Sequence, residues 1–82
     1  MDRPLSLRSL RRALRAFGVS EDPSRGKGSH TYFHKAFESG AVGLPVPTDN
    51  DPVLICYVKL ARRKFRLTPA DGVSDKPFYD EA

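Results

Sequence analysis

A histidine that follows a glycine-rich turn is the residue of this sequence best suited to chemistry. His30 comes directly after the run Gly26-Lys27-Gly28-Ser29, where two glycines let the backbone adopt positive φ values around a cationic side chain. Imidazole changes protonation state near neutral pH, so His30 could accept a proton from an attacking 2′-hydroxyl group of RNA or donate one to the departing 5′-oxygen. Lys27, with the backbone N–H groups of Gly28 and Ser29, would then bind the phosphate. The alternative is a histidine that only hydrogen-bonds its own turn.

Other kinds of site have less support from the residues. His30, His34 and Cys56 lack the spacing of zinc ligands, so the sequence predicts no metal and no cofactor. Cys56 lies in the apolar part of a predicted helix, and we expect it to pack in the core rather than act as a nucleophile. The glycine turn lacks the upstream glycine of a P-loop and does not open a helix.

An amphipathic helix precedes the turn. Ser6 is its predicted N-cap, Gly18 is its predicted end, and an apolar stripe is formed by Leu7, Leu10, Leu14 and Phe17. The other helix faces carry Arg8, Arg11, Arg12 and Arg15. Because guanidinium groups bind phosphate in a bidentate manner, we predict that Arg8 and Arg12 contact RNA. The alternative is an arginine-rich face that is only solvated.

A strand begins at the histidine, and its alternation separates two faces. If Phe33 points into the core, the other face carries His30, Tyr32 and His34. Tyr32 and His34 are therefore predicted RNA contacts on the open face of a sheet. The next strand shows the apolar alternation of Val42, Leu44 and Val46, and Pro45 indicates either an edge position or an interruption of strand pairing. Residues 19–25 could form a short edge strand or a loop.

A second helix is predicted over residues 52–65, with Asp51 as N-cap and Pro52 at its first position. Its predicted apolar stripe is Leu54, Val58, Ala61 and Phe65. The order of elements predicts an α+β fold, a two-layer α-β-β-β-α sandwich in which two helices cover one face of an antiparallel three-stranded sheet. Residues 1–67 would form this domain, and residues 68–82 would be an acidic, loosely held tail.

Composition and charge limit the partners of the chain. Its 82 residues suit one small domain, and a single cysteine excludes an internal disulfide and indicates a reducing cytoplasm. The longest apolar run, residues 53–58, is far shorter than the roughly 18 residues of a membrane span, and the N-terminal residues lack an apolar h-region, so we expect neither a membrane span nor a signal peptide. The net charge is +4, with eight Lys or Arg against three Asp or Glu in residues 1–35. This balance favours a polyanion such as nucleic acid, the alternative being a solvated basic surface.

The glycine turn ending in His30, the upstream helix, the strand ending in Val46-Pro47 and the closing basic helix together resemble the HicA-type toxins. The resemblance covers roughly residues 5–67. It implies a double-stranded-RNA-binding-domain-like fold and an mRNA-cleaving activity centred on His30. It also implies a HicB-type antitoxin as the partner that covers this site, and we expect a monomer when the chain is free.

Three classes of function stay open on the sequence alone. The first is a metal-independent endoribonuclease, or mRNA interferase, that acts as the toxin of a toxin–antitoxin system. The second is an RNA-binding module of the same fold that does not cleave, with Tyr32 stacking on bases and the arginines holding phosphate. The third is a basic protein-interaction domain that docks on an acidic partner.

Overall fold

A computed structural model describes residues 1–23 and 28–82, which fold into three antiparallel strands and three α-helices. Helix α1 (Leu7–Ala16) is followed by strands β1 (Ser20–Asp22), β2 (His30–Phe37) and β3 (Gly40–Pro47), then by helices α2 (Ile55–Lys64) and α3 (Asp75–Asp80), with a 3-10 turn over Pro69–Asp71. The strands form one sheet in the order β1-β2-β3. This confirms the predicted α+β arrangement of helix, three-stranded antiparallel sheet and helix, and α3 is an addition to it.

One face of the sheet is buried and the other is open. On β2, Thr31 and Phe33 are buried, whereas the alternate residues Tyr32 and His34 are only half-buried. Val46 of β3, which is paired with Thr31, is buried on the same side. As predicted, the two histidines and the tyrosine of β2 therefore share the open face.

Prolines protect the outer edge of β3. The Thr48 N–H donates to the Ser29 carbonyl at 2.6 Å, which fixes the phase of hydrogen bonding between β2 and β3. Pro45, paired with Tyr32, and Pro47, paired with His30, then occupy non-hydrogen-bonded positions of the ladder. Their backbone groups therefore point away from β2. Proline has no N–H to donate, so neither residue can offer that group to a further strand. The predicted edge position of Pro45 is confirmed.

Helix α1 begins and ends where the sequence predicts. The Ser6 Oγ accepts a hydrogen bond from the Ser9 N–H at 3.0 Å, as an N-cap does. Leu10 and Leu14 are fully buried on the inner face of the helix. The chain leaves the helix through Gly18, whose φ of 83° lies in the region that favours glycine.

Helix α2 begins later than predicted. Its first residue is Ile55, preceded by Leu54, whose side chain makes no capping hydrogen bond. The prediction of Asp51 as N-cap and Pro52 as first helical residue is therefore wrong. Asp51 Oδ1 instead accepts a hydrogen bond of 3.2 Å from the N–H of Leu7, the first residue of α1. A carboxylate suits that position because the first N–H groups of a helix have no partner within it.

The buried stripe of α2 differs in part from the prediction. It consists of Val58, Ala61 and Arg62 and continues into Phe65. Cys56 is exposed, so its predicted place in the core is wrong. It precedes Val58 by two residues, which places it on the opposite side of the helix. Leu54, also predicted to be in the stripe, is 50% exposed because it lies before the first turn.

The expectation that residues 68–82 are loosely held is wrong. Helix α3 places Phe78 and Tyr79 in the core, and the exposed fraction of Phe78 is 0%. The guanidinium group of Arg62 is buried and lies 4.7 Å from the centre of the Phe78 ring. Arg62 Nε donates to the Leu67 carbonyl at 2.8 Å, and Nη2 donates to the Val73 carbonyl at 3.0 Å. Arg62 therefore attaches the C-terminal segment to the rest of the fold.

Two carboxylates complete the surroundings of Arg62. Its Nη1 donates to Asp2 Oδ1 at 2.7 Å and to Asp75 Oδ1 at 2.6 Å, and the Tyr79 hydroxyl donates to the same Asp2 oxygen at 2.8 Å. Hydrogen bonds from Arg62 and the N-terminal ammonium group lower the pKa of Asp75 to about 2. Partial burial would raise the pKa of Asp2, but the hydrogen bonds from Arg62 and Tyr79 outweigh it and lower that pKa.

Candidate nucleic-acid interface

His30 occupies the first position of the central strand. Its side chain is exposed, and it is paired with Pro47 of β3. The hydrogen bond from the Thr48 N–H to the Ser29 carbonyl closes the ladder one residue before His30. The backbone of His30 is therefore fixed by the pairing with β3 of the residues before and after it, while its imidazole is exposed at the surface.

The structure describes two residues of the glycine turn before His30, Gly28 and Ser29. Gly28 and Ser29, both predicted RNA contacts, are exposed beside the histidine. Gly28 has a φ of 61°, which favours glycine, as predicted for this turn. Lys27, the predicted cation of the turn, lies outside the described residues.

Tyr32 and His34 form a pair of nearly parallel rings on the open face, which we call the aromatic platform. Their ring centres are 5.9 Å apart, and the angle between the ring planes is 25°. The phenol ring leans across the sheet onto Gly43, the β3 residue paired with His34. A methyl group at Gly43 would overlap the Tyr32 hydroxyl and come within 2.9 Å of its Cε1 atom. The absence of a side chain at Gly43 thus leaves room for the hydroxyl end of the Tyr32 ring.

The strand residues of the open face carry little charge. By pairing and alternation they are Ser20, Asp22, His30, Tyr32, His34, Ala36, Ala41, Gly43, Pro45 and Pro47. None of these strand positions is lysine or arginine, and Asp22 is the one carboxylate among them. These strand positions offer aromatic, proline and small side chains rather than cations.

The cations of the N-terminal half lie on α1, on the helical side of the sheet. An open groove of about 450 Å³, which we call the arginine groove, is lined by Arg8, Arg11, Arg12 and Arg15. Arg8, Arg12 and Arg15 are exposed, and none of them forms an ion pair within the described residues. Guanidinium groups concentrated in this way suit phosphate groups.

Arg11 is fixed in the groove by Glu21 of β1. Its Nε and Nη2 groups donate to the two carboxylate oxygens of Glu21, the second at 3.0 Å. Thr31 Oγ1 donates to Glu21 Oε2 at 2.6 Å. The hydrogen bond from Arg11 is the main cause of the lowered pKa of Glu21, while partial burial acts against it. Glu21 therefore stays ionised and fixes the position of the Arg11 side chain relative to strand β1.

The structure divides the predicted contacts between two surfaces. His30 and the aromatic platform lie together on the open face, whereas Arg8 and Arg12 lie on the helical side. Strand β1 borders both, because Glu21 holds Arg11 on one side while Asp22 is paired with Tyr32 on the other.

Arg11, Arg15 and Gly43 are candidate site residues that the sequence analysis did not select. The spacing of positions 8, 11, 12 and 15 repeats with the helical period, which is the signal for one arginine stripe. No local pattern identifies Gly43, because its role depends on a ring from the neighbouring strand.

No family model, curated protein or solved structure matches this chain.

Among residues 1–23 and 28–82, no three His, Cys, Asp or Glu side chains are grouped so that they could hold a metal ion. None of the helices in those residues is both long and apolar enough to cross a bilayer.

Proposed function

We propose that this protein is a metal-independent endoribonuclease that binds RNA on the open face of its sheet and cleaves it at His30. The observation that carries the proposal is the position of His30. Its imidazole is exposed at the start of the central strand, beside the exposed residues Gly28 and Ser29. A general acid–base needs such access to the phosphodiester together with a fixed backbone.

In the proposed reaction, His30 accepts the proton of a ribose 2′-hydroxyl group while the 2′-oxygen attacks the adjacent phosphorus. The bond between phosphorus and the 5′-oxygen breaks, and the departing oxygen receives a proton from the imidazolium. The products are a 2′,3′-cyclic phosphate and a 5′-hydroxyl end. Because the substrate supplies the nucleophile, one imidazole is sufficient. The N–H group of Gly28 would stabilise the negative charge on the phosphate oxygens.

The arginine groove supplies phosphate affinity in this proposal. An RNA strand passing round β1 would reach the groove on one side and His30 on the other. The resemblance to HicA-type toxins extends the proposal to mRNA as the target, to a HicB-type antitoxin that covers the face of His30, and to action in the cytoplasm.

The test is cleavage of a labelled single-stranded RNA by the purified protein in EDTA. We expect His30→Ala to lower the cleavage rate by about 10²–10⁴-fold, the usual contribution of a general acid–base. Its midpoint of thermal unfolding should stay within about 4 °C of wild type, since an exposed side chain contributes at most about 0.5 kcal/mol.

His34→Ala is the matched control. It lies on the same face about 13 Å along the strand, at about 3.3 Å per residue, and should reduce cleavage much less. Equal losses at both positions would indicate a shared binding surface instead of one acid–base. Full activity of His30→Ala would contradict the catalytic role.

The second candidate is an RNA-binding module that does not cleave. The low charge of the open face favours it, because the strand positions around His30 carry no lysine or arginine to stabilise a reacting phosphate. RNA binding by the wild-type protein without any cleavage would establish this second function. If the protein binds no RNA, we would instead propose that the arginine groove binds an acidic protein partner.

A further inference from the structure

We infer that the aromatic platform is a binding site for an unpaired nucleobase, so that the protein selects single-stranded RNA. The inference rests on the proposed RNA function and adds to it the class of RNA and the contact that recognises it. It applies equally to a cleaving and a non-cleaving protein, because the platform is separate from the acid–base role of His30.

The shape of the platform is suited to stacking. The Tyr32 ring lies over Gly43, where a methyl group would overlap its hydroxyl. The His34 ring is stacked beside the Tyr32 ring at a centre-to-centre distance of 5.9 Å and an inclination of 25°. Both residues are half-buried, so part of each side chain is accessible on the open face. Every base has a flat π-face, so a ring arranged in this way can accept any of the four bases.

The charge of the open face points to bases rather than phosphates. Among its strand positions there is no lysine or arginine, and Asp22 is paired with Tyr32. A phosphate group placed over the platform would meet no lysine or arginine of the strands, and the ammonium group of Lys64, from α2, already donates to the Gly43 carbonyl at 3.3 Å. A base carries no formal charge and is stabilised by stacking on an aromatic side chain. We therefore expect the aromatic platform to bind bases and the arginine groove to bind phosphate groups.

A duplex cannot use the two surfaces together. Its bases are already stacked and paired, so none is available to the platform. A double helix is also stiff and cannot bend sharply round β1 to contact both surfaces. A single strand is flexible and can follow β1 from the groove to the platform.

The experiment measures binding of a single-stranded 2′-O-methyl oligoribonucleotide and of a duplex with the same sequence. The methyl group blocks the nucleophilic oxygen, so binding is observed without cleavage. Single 2-aminopurine bases in the strand report stacking by a loss of fluorescence. We expect the wild-type protein to quench one of these probes, and to bind the single strand at least tenfold more tightly than the duplex.

Two variants remove the platform in different ways. Gly43→Val pushes the Tyr32 ring off the sheet, and Tyr32→Leu removes the ring. Each should weaken single-strand binding about tenfold, which is about 1.4 kcal/mol, and abolish quenching while leaving duplex binding unchanged. Tyr32→Phe keeps the ring and should bind within about twofold of wild type.

Ala41→Val is the matched control for Gly43→Val. It adds the same side chain to the same strand and the same face, two residues away, and should change neither affinity nor quenching. Single-strand binding and quenching that survive in both Gly43→Val and Tyr32→Leu would overturn the base site while leaving the RNA function intact. A wild-type protein that binds neither RNA would overturn both.

Discussion

Arg62 is a basic residue whose role is structural. Its exposed fraction is 2%, and its guanidinium group donates to two backbone carbonyls and two carboxylates. The described atoms include no buried side-chain nitrogen or oxygen without a partner. Sequence position could have identified it, because Arg62 follows Val58 by four residues on the inner stripe of α2. A basic composition thus overstates the number of cations available to nucleic acid.

We predict that Arg62→Leu destabilises the fold by about 2–4 kcal/mol, measured by urea unfolding. The substitution removes one partner from each of Asp2 and Asp75 and leaves the Leu67 and Val73 carbonyls without their Arg62 donor. The value stays below that of a fully buried ion pair because both carboxylates keep some contact with water.

Arg63→Leu is the control for this substitution. It removes the same charge from the next residue of α2, which is exposed, and should change stability by less than about 0.5 kcal/mol. Equal effects of the two substitutions would show that loss of charge, and not of the buried contacts, is responsible.

At the scale of elements, local signals were sufficient for α1 and for the β2–β3 hairpin. Ser6 caps α1 through contacts within its first turn, and the faces of β2 follow from simple alternation. The start of α2 could not be read in this way. Asp51 and Pro52 have the sequence of a helix start, but the Asp51 carboxylate bonds to the Leu7 N–H, 44 residues away in the chain.

Helix α3 also depends on distant contacts. It has six residues, which is too few for a clear helical period, and its inner side consists of Phe78 and Tyr79. Phe78 packs 6.2 Å from the Phe17 ring and beneath Arg62, so its burial is set by residues far away in sequence. The acidic charge of the segment indicated solvent exposure, whereas two of its aromatic side chains belong to the core.

We predict that Phe78→Ala destabilises the protein by about 3–5 kcal/mol, because it empties a fully buried position. The midpoint of thermal unfolding should fall by at least about 12 °C, at about 4–8 °C per kcal/mol for a domain of this size. Deleting residues 68–82 should prevent stable folding, since it removes Tyr79 as well. Glu81→Ala, an exposed change in the same segment, is the control and should have little effect. A deletion variant with the wild-type midpoint would contradict the role of α3.

At the scale of the whole molecule, three carboxylates make stability depend on pH. The pKa values of Asp2, Glu21 and Asp75 are all lowered in the folded state by hydrogen bonds from arginine. The unfolded chain then binds more protons than the folded one as the pH falls. The stabilisation is fully present above the ordinary carboxyl pKa of about 4 and is lost as the pH falls towards the folded value for Asp75 of about 2.

We predict that the midpoint of thermal unfolding is nearly constant between pH 7 and about pH 5, and falls steadily between about pH 4 and pH 2. In Arg62→Leu the fall should be smaller, because Asp2 and Asp75 each lose the hydrogen bond from Arg62 that helps to lower their pKa values. Calorimetry at several pH values measures both. Parallel curves for the two proteins would show that the acid sensitivity comes from other groups.

The distribution of charge over the molecule predicts how RNA affinity depends on salt. The open face is nearly uncharged along its strands, and the arginine groove presents Arg8, Arg12 and Arg15 beside the Arg11–Glu21 pair. Each phosphate neutralised on a single strand contributes about −0.7 to the slope of log affinity against log salt concentration. Three arginine contacts therefore predict a slope of about −2.

Arg12→Gln should make this slope shallower by about 0.7, because one released counterion is lost. Arg63→Gln removes the same charge from α2 and should leave the slope unchanged, which separates a local contact from an effect of net charge. Tyr32→Leu should lower affinity at every salt concentration without altering the slope, because a stacked base releases no counterion. Titrations between 50 and 300 mM salt distinguish these results. Equal changes of slope in Arg12→Gln and Arg63→Gln would mean that RNA is attracted by the overall charge of the protein and not held in the arginine groove.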